Sequence, residues 1–217
     1  MTPADRLQST LTDIAGAAKL ARREPGEVTL IAVSKTRGAE DIEQLIAAGQ
    51  RDFGESRVQE ALAKWPPILT AHPDIALHCI GRLQSNKAAD AVRLFDVVHS
   101  LDRPSLLEAL AREADKQGRR PQVYVQVNIG EEEQKGDCAI DEVGDLVAAV
   151  RASPLQLAGL MAIPPLDVEP APYFALLAEI ARRHGVIGLS MGMSADFKTA
   201  VTLGATAVRV GTALFED

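Results

Sequence analysis

Short apolar runs recur along the whole chain, and the segments between them carry helical periodicity. The runs are VTLIAVS (28–34), RDFGE (51–55), IALHCIG (75–81), DVVHSL (96–101), QVYVQVNI (122–129), LQLAGLMAI (155–163), VIGLSMGM (186–193) and TAVRVGT (206–212). Helix-like stretches lie between them, near 39–49, 57–65, 84–94, 104–117, 139–152, 169–184 and 195–203. Several of these runs are apolar throughout instead of alternating with polar residues. Such a strand is buried on both faces, as in a parallel sheet sheathed by helices. Eight β-α units in succession predict an α/β protein of the closed (β/α)8 TIM-barrel type, with a doubly wound open sheet as the alternative.

Before the first run, Leu7, Leu11, Ile14, Ala18 and Ala21 recur three and four residues apart. That spacing predicts an extra N-terminal helix over 3–23, with Pro3 in its first turn and EPGE (24–27) ending it. No linker or low-complexity tract divides the 217 residues, so one domain over 1–217 is expected. A (β/α)8 barrel typically takes about 250 residues. Loops should therefore be lean, with the leading helix covering part of the place of a final one.

Composition narrows the function classes. Aromatic residues are 4% of the chain, so the core must be built from Ala, Val, Leu and Ile. A net charge of −7 argues against nucleic acid as the main partner, which would demand a basic face. No apolar segment is long enough to span a membrane. The start, MTPADRLQSTLTDI, has an early acid and no apolar core, unlike a secretory signal. Cys79 and Cys138 have no metal-ligand spacing, which fits reduced thiols in a cytoplasmic protein.

Chemistry in a parallel barrel sits at the C-terminal strand ends. The first run, LIAVSKT, ends in an amine at Lys35. The seventh ends in SMGMS (190–194) before a helix, and the eighth in Arg209, Val210, Gly211 and Thr212. Small-residue turns into helices present free N–H groups that favour an anion. Ser190, Ser194 and Thr212 add hydroxyls, and Gly211 permits close backbone approach. Loops after strands seven and eight often bind phosphate in this barrel. A desolvated lysine attacks carbonyls, so the set points to a phosphorylated aldehyde, and pyridoxal 5′-phosphate (PLP) fits. Arg209 facing the pyridine nitrogen would keep it unprotonated and make the cofactor a poor electron sink. Plainer roles exist for the same residues. Arg209 can form a structural ion pair with Glu55, Ser194 can cap a helix, His78 can be a hydrogen-bonded core histidine, and Met161, Met191 and Met193 can be core or wall residues.

Eight motifs occur in order: AVSKT (32–36), FGESRVQEA (53–61), HCIGRLQSNK (78–87), VHSLD (98–102), VNI (127–129), GLMAIPP (159–165), LSMGMSADF (189–197) and VRVGTALF (208–215). Together they resemble the pyridoxal phosphate homeostasis proteins, over about Leu7 to Phe215. The resemblance implies a PLP-bound barrel like the N-terminal domain of alanine racemase. Lys35 would hold PLP as an internal aldimine, and Ser190, Ser194, Gly211 and Thr212 would line the phosphate site. Arg209 would meet the ring nitrogen, Met191 and Gly192 would lie beside the cofactor with Met161 in the same site, and His78 and Ser100 would sit deeper in the mouth. It further implies a protein that carries PLP without robust catalysis and meets PLP-dependent apoenzymes transiently, while the lean single barrel suggests a monomer. Two positions depart from the family pattern. Ser56-Arg57 follows FGE where the family often has an asparagine first. Lys135 is followed directly by Gly136, so a second cofactor contact at Lys135 does not carry over.

A PLP-dependent amino-acid racemase is the competing reading. Two-base racemisation needs an acid/base group on each face of the substrate carbon. The tyrosines, Tyr124 and Tyr173, fall in a strand interior and an early helix turn. A Schiff-base aldolase would share the lysine but does not call for Arg209 beside a phosphate cradle.

Overall fold

A computed structural model describes residues 1–134 and 136–215. Eight strands close into a parallel barrel in chain order. They are β1 (Thr29–Val33), β2 (Asp52–Glu55), β3 (Ala76–Cys79), β4 (Val97–Leu101), β5 (Gln122–Gln126), β6 (Gln156–Met161), β7 (Gly188–Met193) and β8 (Ala207–Val210). The β1–β8 pairing, with Ile31 opposite Arg209, closes the ring and excludes the open sheet. The helices are α1 (Pro3–Leu20), α2 (Ala39–Ala47), α3 (Val58–Ala71), α4 (Ala88–Leu94), α5 (Pro104–Gln117), α6 (Val143–Arg151), α7 (Ala171–Arg183), α8 (Phe197–Thr202) and α9 (Thr212–Phe215). Among the described residues no helix is long and apolar enough to cross a membrane.

The hydrophobic core lies mainly between the barrel and its helices. Leu30, Phe53, Leu77, Val98, Val123, Leu160, Leu189 and Val208 bury one strand face against helix residues such as Ile42, Trp65, Leu110 and Phe174. The opposite strand face is strongly polar. Asp52, His78, His99, Ser190 and Arg209 are linked by hydrogen bonds across the barrel interior. Interiors of this fold are usually filled by Val, Ile and Leu. Here the apolar outer layer supplies the burial.

Helix α1 starts with a reciprocal cap: Asp5 N–H donates to Thr2 Oγ1, and Thr2 N–H donates to Asp5 Oδ2. The helix packs against α8, α9 and α2, the place expected for it. Its buried face differs from the expected one. Leu7, Thr10, Ile14, Ala17 and Ala18 face inward, while Leu11 is 41% exposed. Ala18 and Ala17 let α1 approach its neighbours closely, which rotates Leu11 out of the interface.

Helix α3 runs through Pro66 and Pro67, beyond the expected end at 65. Proline inside a helix removes a backbone bond and clashes with the preceding turn. Burial of Trp65 and Ile68 on either side anchors the segment. Thr70 Oγ1 donates to Pro66 O at 2.9 Å. Cys138 lies in a polar stretch of sequence yet is buried because that loop folds back: Cys138 N–H donates to Gln126 O, and Asn128 N–H to Cys138 O.

Truncating the buried α1 contact should be costly. Ile14, 2% exposed, replaced by alanine should lose about 2–5 kcal/mol of unfolding free energy. Leu11→Ala should stay within about 0.5 kcal/mol of the parent. Urea titration of both variants checks the assignment of the face.

Candidate functional site

A cavity of about 420 Å³ opens at the C-terminal strand ends. Val33, Lys35, Thr36 and Arg37 line it after β1, Ser56 after β2, Ile80 after β3 and Ile163 after β6. Met193, Ser194 and Ala195 come from the β7–α8 turn, and Arg209, Gly211 and Thr212 from β8 and its exit. Three cationic side chains and four hydroxyls therefore meet, and this lining contains no carboxylate, imidazole, thiol or phenol. That donor set suits an anion, and the volume suits a small cofactor.

Lys35 lies two residues beyond the end of β1. Strand alternation puts Ile31 and Val33 on the barrel face and carries Lys35 to the rim. Its side chain is exposed, not desolvated as the apolar run had led one to expect. The strand ends early because Arg37 N–H turns back to Ser34 O at 3.0 Å. Thr36, at φ +64°, takes the left-handed position of that turn. A β-branched residue in that region is a true outlier, and such strain clusters at functional sites.

Ser194 Oγ accepts from Gly211 N–H at 3.3 Å, which ties the β7 and β8 exits together. That bond leaves the Ser194 hydroxyl proton available to a ligand. Asp196, not Ser194, caps α8, and its Oδ1 accepts from Met193 N–H at 2.6 Å. Gly192 serves this turn from behind. Its φ is +95°, and a Cβ there would stand 2.6 Å from Ala200 Cβ.

Arg209 forms the cavity floor and is almost fully buried. Nη1 donates to Ser190 O at 3.0 Å and to Ser190 Oγ at 2.5 Å, and Nη2 donates to Ala162 O at 3.1 Å. Burial holds its pKa down to about 10, so it stays charged at neutral pH. Glu55 is not its partner. That carboxylate lies behind the barrel wall with Trp65 and Lys64. Among the described residues no carboxylate pairs with Arg209.

A chain of hydrogen bonds continues behind Ser190. His99 Nδ1 is 2.8 Å from Ser190 Oγ, and His99 Nε2 is 2.9 Å from His78 Nδ1. His78 Nε2 is 3.1 Å from Asp52 Oδ1, at the opposite end of the barrel, where Asp52 is 33% exposed. Tyr124 stacks on His99, with centroids 4.4 Å apart. Burial, then His78, then Arg209 hold the His99 pKa well below the usual imidazole value. When each ring carries a single N–H, the direction of every bond follows. Asp52 accepts from His78 Nε2–H, so bare His78 Nδ1 accepts from His99 Nε2–H. Bare His99 Nδ1 then accepts from Ser190 O–H, whose oxygen accepts from Arg209.

Of the residues singled out in the sequence, Lys35, Ser194, Arg209, Gly211 and Thr212 meet at the cavity. Ser190 stands directly behind Arg209, and His78 two groups further back, inside the barrel and not at its mouth. Met161 is buried on β6 in register with Ser190. Met191 belongs to the outer hydrophobic core. Ser100 is buried beside the Cys79 thiol, without a well-formed hydrogen bond. Burial pushes that thiol up to about 12, so Cys79 is inert. Val98 packs in the outer core, so strand alternation turns His99 inward and Ser100 to the other face, and that alternation was the available signal. Arg37, Ser56, Ile80 and Ile163 line the cavity without having been singled out for it. The strand-end position of Ile80 was the available signal. Lys135 lies outside the described residues.

The family model for the alanine racemase N-terminal domain matches residues 14–217. The chain is 40% identical over 220 residues to the pyridoxal phosphate homeostasis protein of Pseudomonas aeruginosa, covering 99% of this chain and 95% of that one. The chain belongs to the pyridoxal phosphate homeostasis protein family. The relative of the same name from Synechocystis is 39% identical, over 89% of this chain and 93% of its own. Among solved structures, PipY of Synechococcus elongatus with PLP bound is 40% identical at a TM-score of 0.82, covering 98% of this chain and 99% of that one. An alanine racemase from Clostridium difficile shares the fold at 14% identity and a TM-score of 0.72, with 97% of this chain matching 56% of that one.

Nitrogen-15 NMR at pH 8 should show His78 and His99 both as Nε2–H tautomers. His99 should remain neutral at pH 5. Its folded pKa lies below the unfolded value of about 6.5, so the unfolded chain takes up the proton first. Its contribution to stability is complete above that pH and falls away as the solution is acidified. A Nδ1–H signal from either ring would break the assigned chain.

Proposed function

We propose that this chain binds PLP at Lys35 and acts in PLP homeostasis as a carrier without robust turnover. The observation that carries this reading is the cavity lining, with one primary amine, two guanidinium groups and four hydroxyls. When bound, PLP supplies an aldehyde that a primary amine captures with loss of water. Lys35 is the amine at the rim, and its exposure leaves it open to an incoming aldehyde. Ser194 and Thr212 offer hydroxyl donors to the phosphate, and Gly211 lets the backbone approach it closely. Arg209 presents only N–H donors to the ring nitrogen, and so leaves that nitrogen unprotonated. Relatives named for PLP homeostasis, and PipY solved with PLP, support the assignment.

Racemase chemistry fits the lining poorly. The only lining groups that titrate are Lys35, Arg37 and Arg209. Two-base racemisation needs a second acid/base near neutral pKa. Tyr124 is stacked inside the barrel on His99, and Tyr173 packs against the core from α7. Neither lines the cavity.

Lys35→Ala should abolish covalent PLP attachment while leaving reversible binding measurable by equilibrium dialysis. Ser194→Ala or Thr212→Ala should weaken PLP retention by roughly ten- to hundredfold, the equivalent of about 1.5–3 kcal/mol for a hydrogen bond to a charged group. Alanine racemisation by the PLP-loaded protein should stay at background. Turnover at enzymatic rates would overturn the carrier reading.

A further inference from the structure

The turn that carries Lys35 is gripped from behind by a buried ion pair. Lys64, on α3, has a side chain only 15% exposed, and its Nζ lies 2.7 Å from Glu55 Oε1. The same Nζ donates to Ser34 O at 2.9 Å and to Arg37 O at 3.1 Å. An ammonium has three donors, so all three are committed. Two of them hold the carbonyls on either side of Lys35 and Thr36. Glu55, the last residue of β2, is fully buried. Its Oε1 also accepts from Ser34 Oγ at 2.7 Å and from Trp65 Nε1 at 2.9 Å, while Oε2 has no partner. Every bond of this carboxylate therefore passes through the oxygen that faces the turn. Left-handed strain of the kind Thr36 carries persists only where the surroundings enforce it. Neither Lys64 nor Glu55 lines the cavity.

We propose that Lys64 and Glu55 are positioning residues for Lys35, holding the strained 34–37 turn so that the amine is aimed into the cavity. This rests on the reading of Lys35 as the covalent anchor. In the step concerned, Lys35 Nζ attacks the aldehyde carbon of PLP. A C=N bond replaces C=O, and the oxygen leaves as water with the two hydrogens of the neutral amine. The clamp raises the effective concentration of that amine at the aldehyde. It does not touch Ser194, Gly211 or Thr212, which belong to other elements. Loss of the clamp should therefore separate covalent capture from anion binding.

Lys64→Met tests this directly. Because it strands a buried carboxylate, which can unfold a protein, the double variant Lys64→Met/Glu55→Gln is made alongside it. The glutamine keeps an acceptor oxygen for Ser34 and Trp65. Three quantities are read on folded protein: the PLP concentration giving half-maximal borohydride-fixed mass on Lys35, the affinity for inorganic phosphate, and amide hydrogen exchange over 34–37 without PLP. The double variant should need at least tenfold more PLP for half-maximal fixation, with phosphate affinity within twofold of the parent and faster exchange across the turn. Lys64→Arg should recover part of the fixation. Unchanged fixation and exchange in the double variant would overturn the proposal, as would equal losses of fixation and phosphate affinity. If the parent protein fixes no mass on Lys35, the anchor reading fails instead, and exchange in PLP-free protein still decides whether the pair holds the turn.

Discussion

A guanidinium buried inside a barrel must be solvated by the protein itself, and much of this structure answers that demand. Arg209 sits where a TIM barrel usually places a branched aliphatic residue. Ser190 and the Ala162 carbonyl accept its protons. With one N–H on each ring, the serine in turn donates to His99, which donates to His78, which donates to Asp52. An unpaired buried charge of this kind costs several kcal/mol. The polar line through the barrel disperses that cost by ending on a carboxylate that reaches solvent. The apolar side chains that would have filled the centre lie outside it, between strands and helices. The cavity thereby acquires a fixed cationic floor that needs no rearrangement to meet a ligand.

The rest of the lining reinforces that sign. Lys35 and Arg37 enter from the β1 exit, and hydroxyl and amide donors come from the β7 and β8 exits. The whole chain carries a net charge of −7, so this concentration of positive charge is local and not a general property of the surface. A cavity whose polar lining is cations with hydroxyl and amide donors suits an anion.

The barrel was legible because period and run length act locally: eight apolar runs became eight strands. Lys35, Ser194, Arg209, Gly211 and Thr212 were legible because strand ends in a parallel barrel converge on one mouth. The misreadings arose where long-range geometry intervened. Tertiary burial of Trp65 and Ile68 carries α3 through two prolines that read as a stop. Close packing of Ala17 and Ala18 turns Leu11 out to solvent. The apolar approach to Lys35 implied a desolvated amine. The turn at Thr36 lifts it to the rim instead, and a positive φ at threonine cannot be foreseen from its neighbours.

The central claim is that Lys35 is the covalent anchor for PLP. Borohydride reduction of the PLP-loaded protein followed by peptide mass mapping tests it most directly. The account predicts loss of the visible imine band, with the pyridoxyl mass on the peptide containing Lys35 and on no other. A protein that takes up no PLP, or that carries the mass on a different lysine, would contradict it.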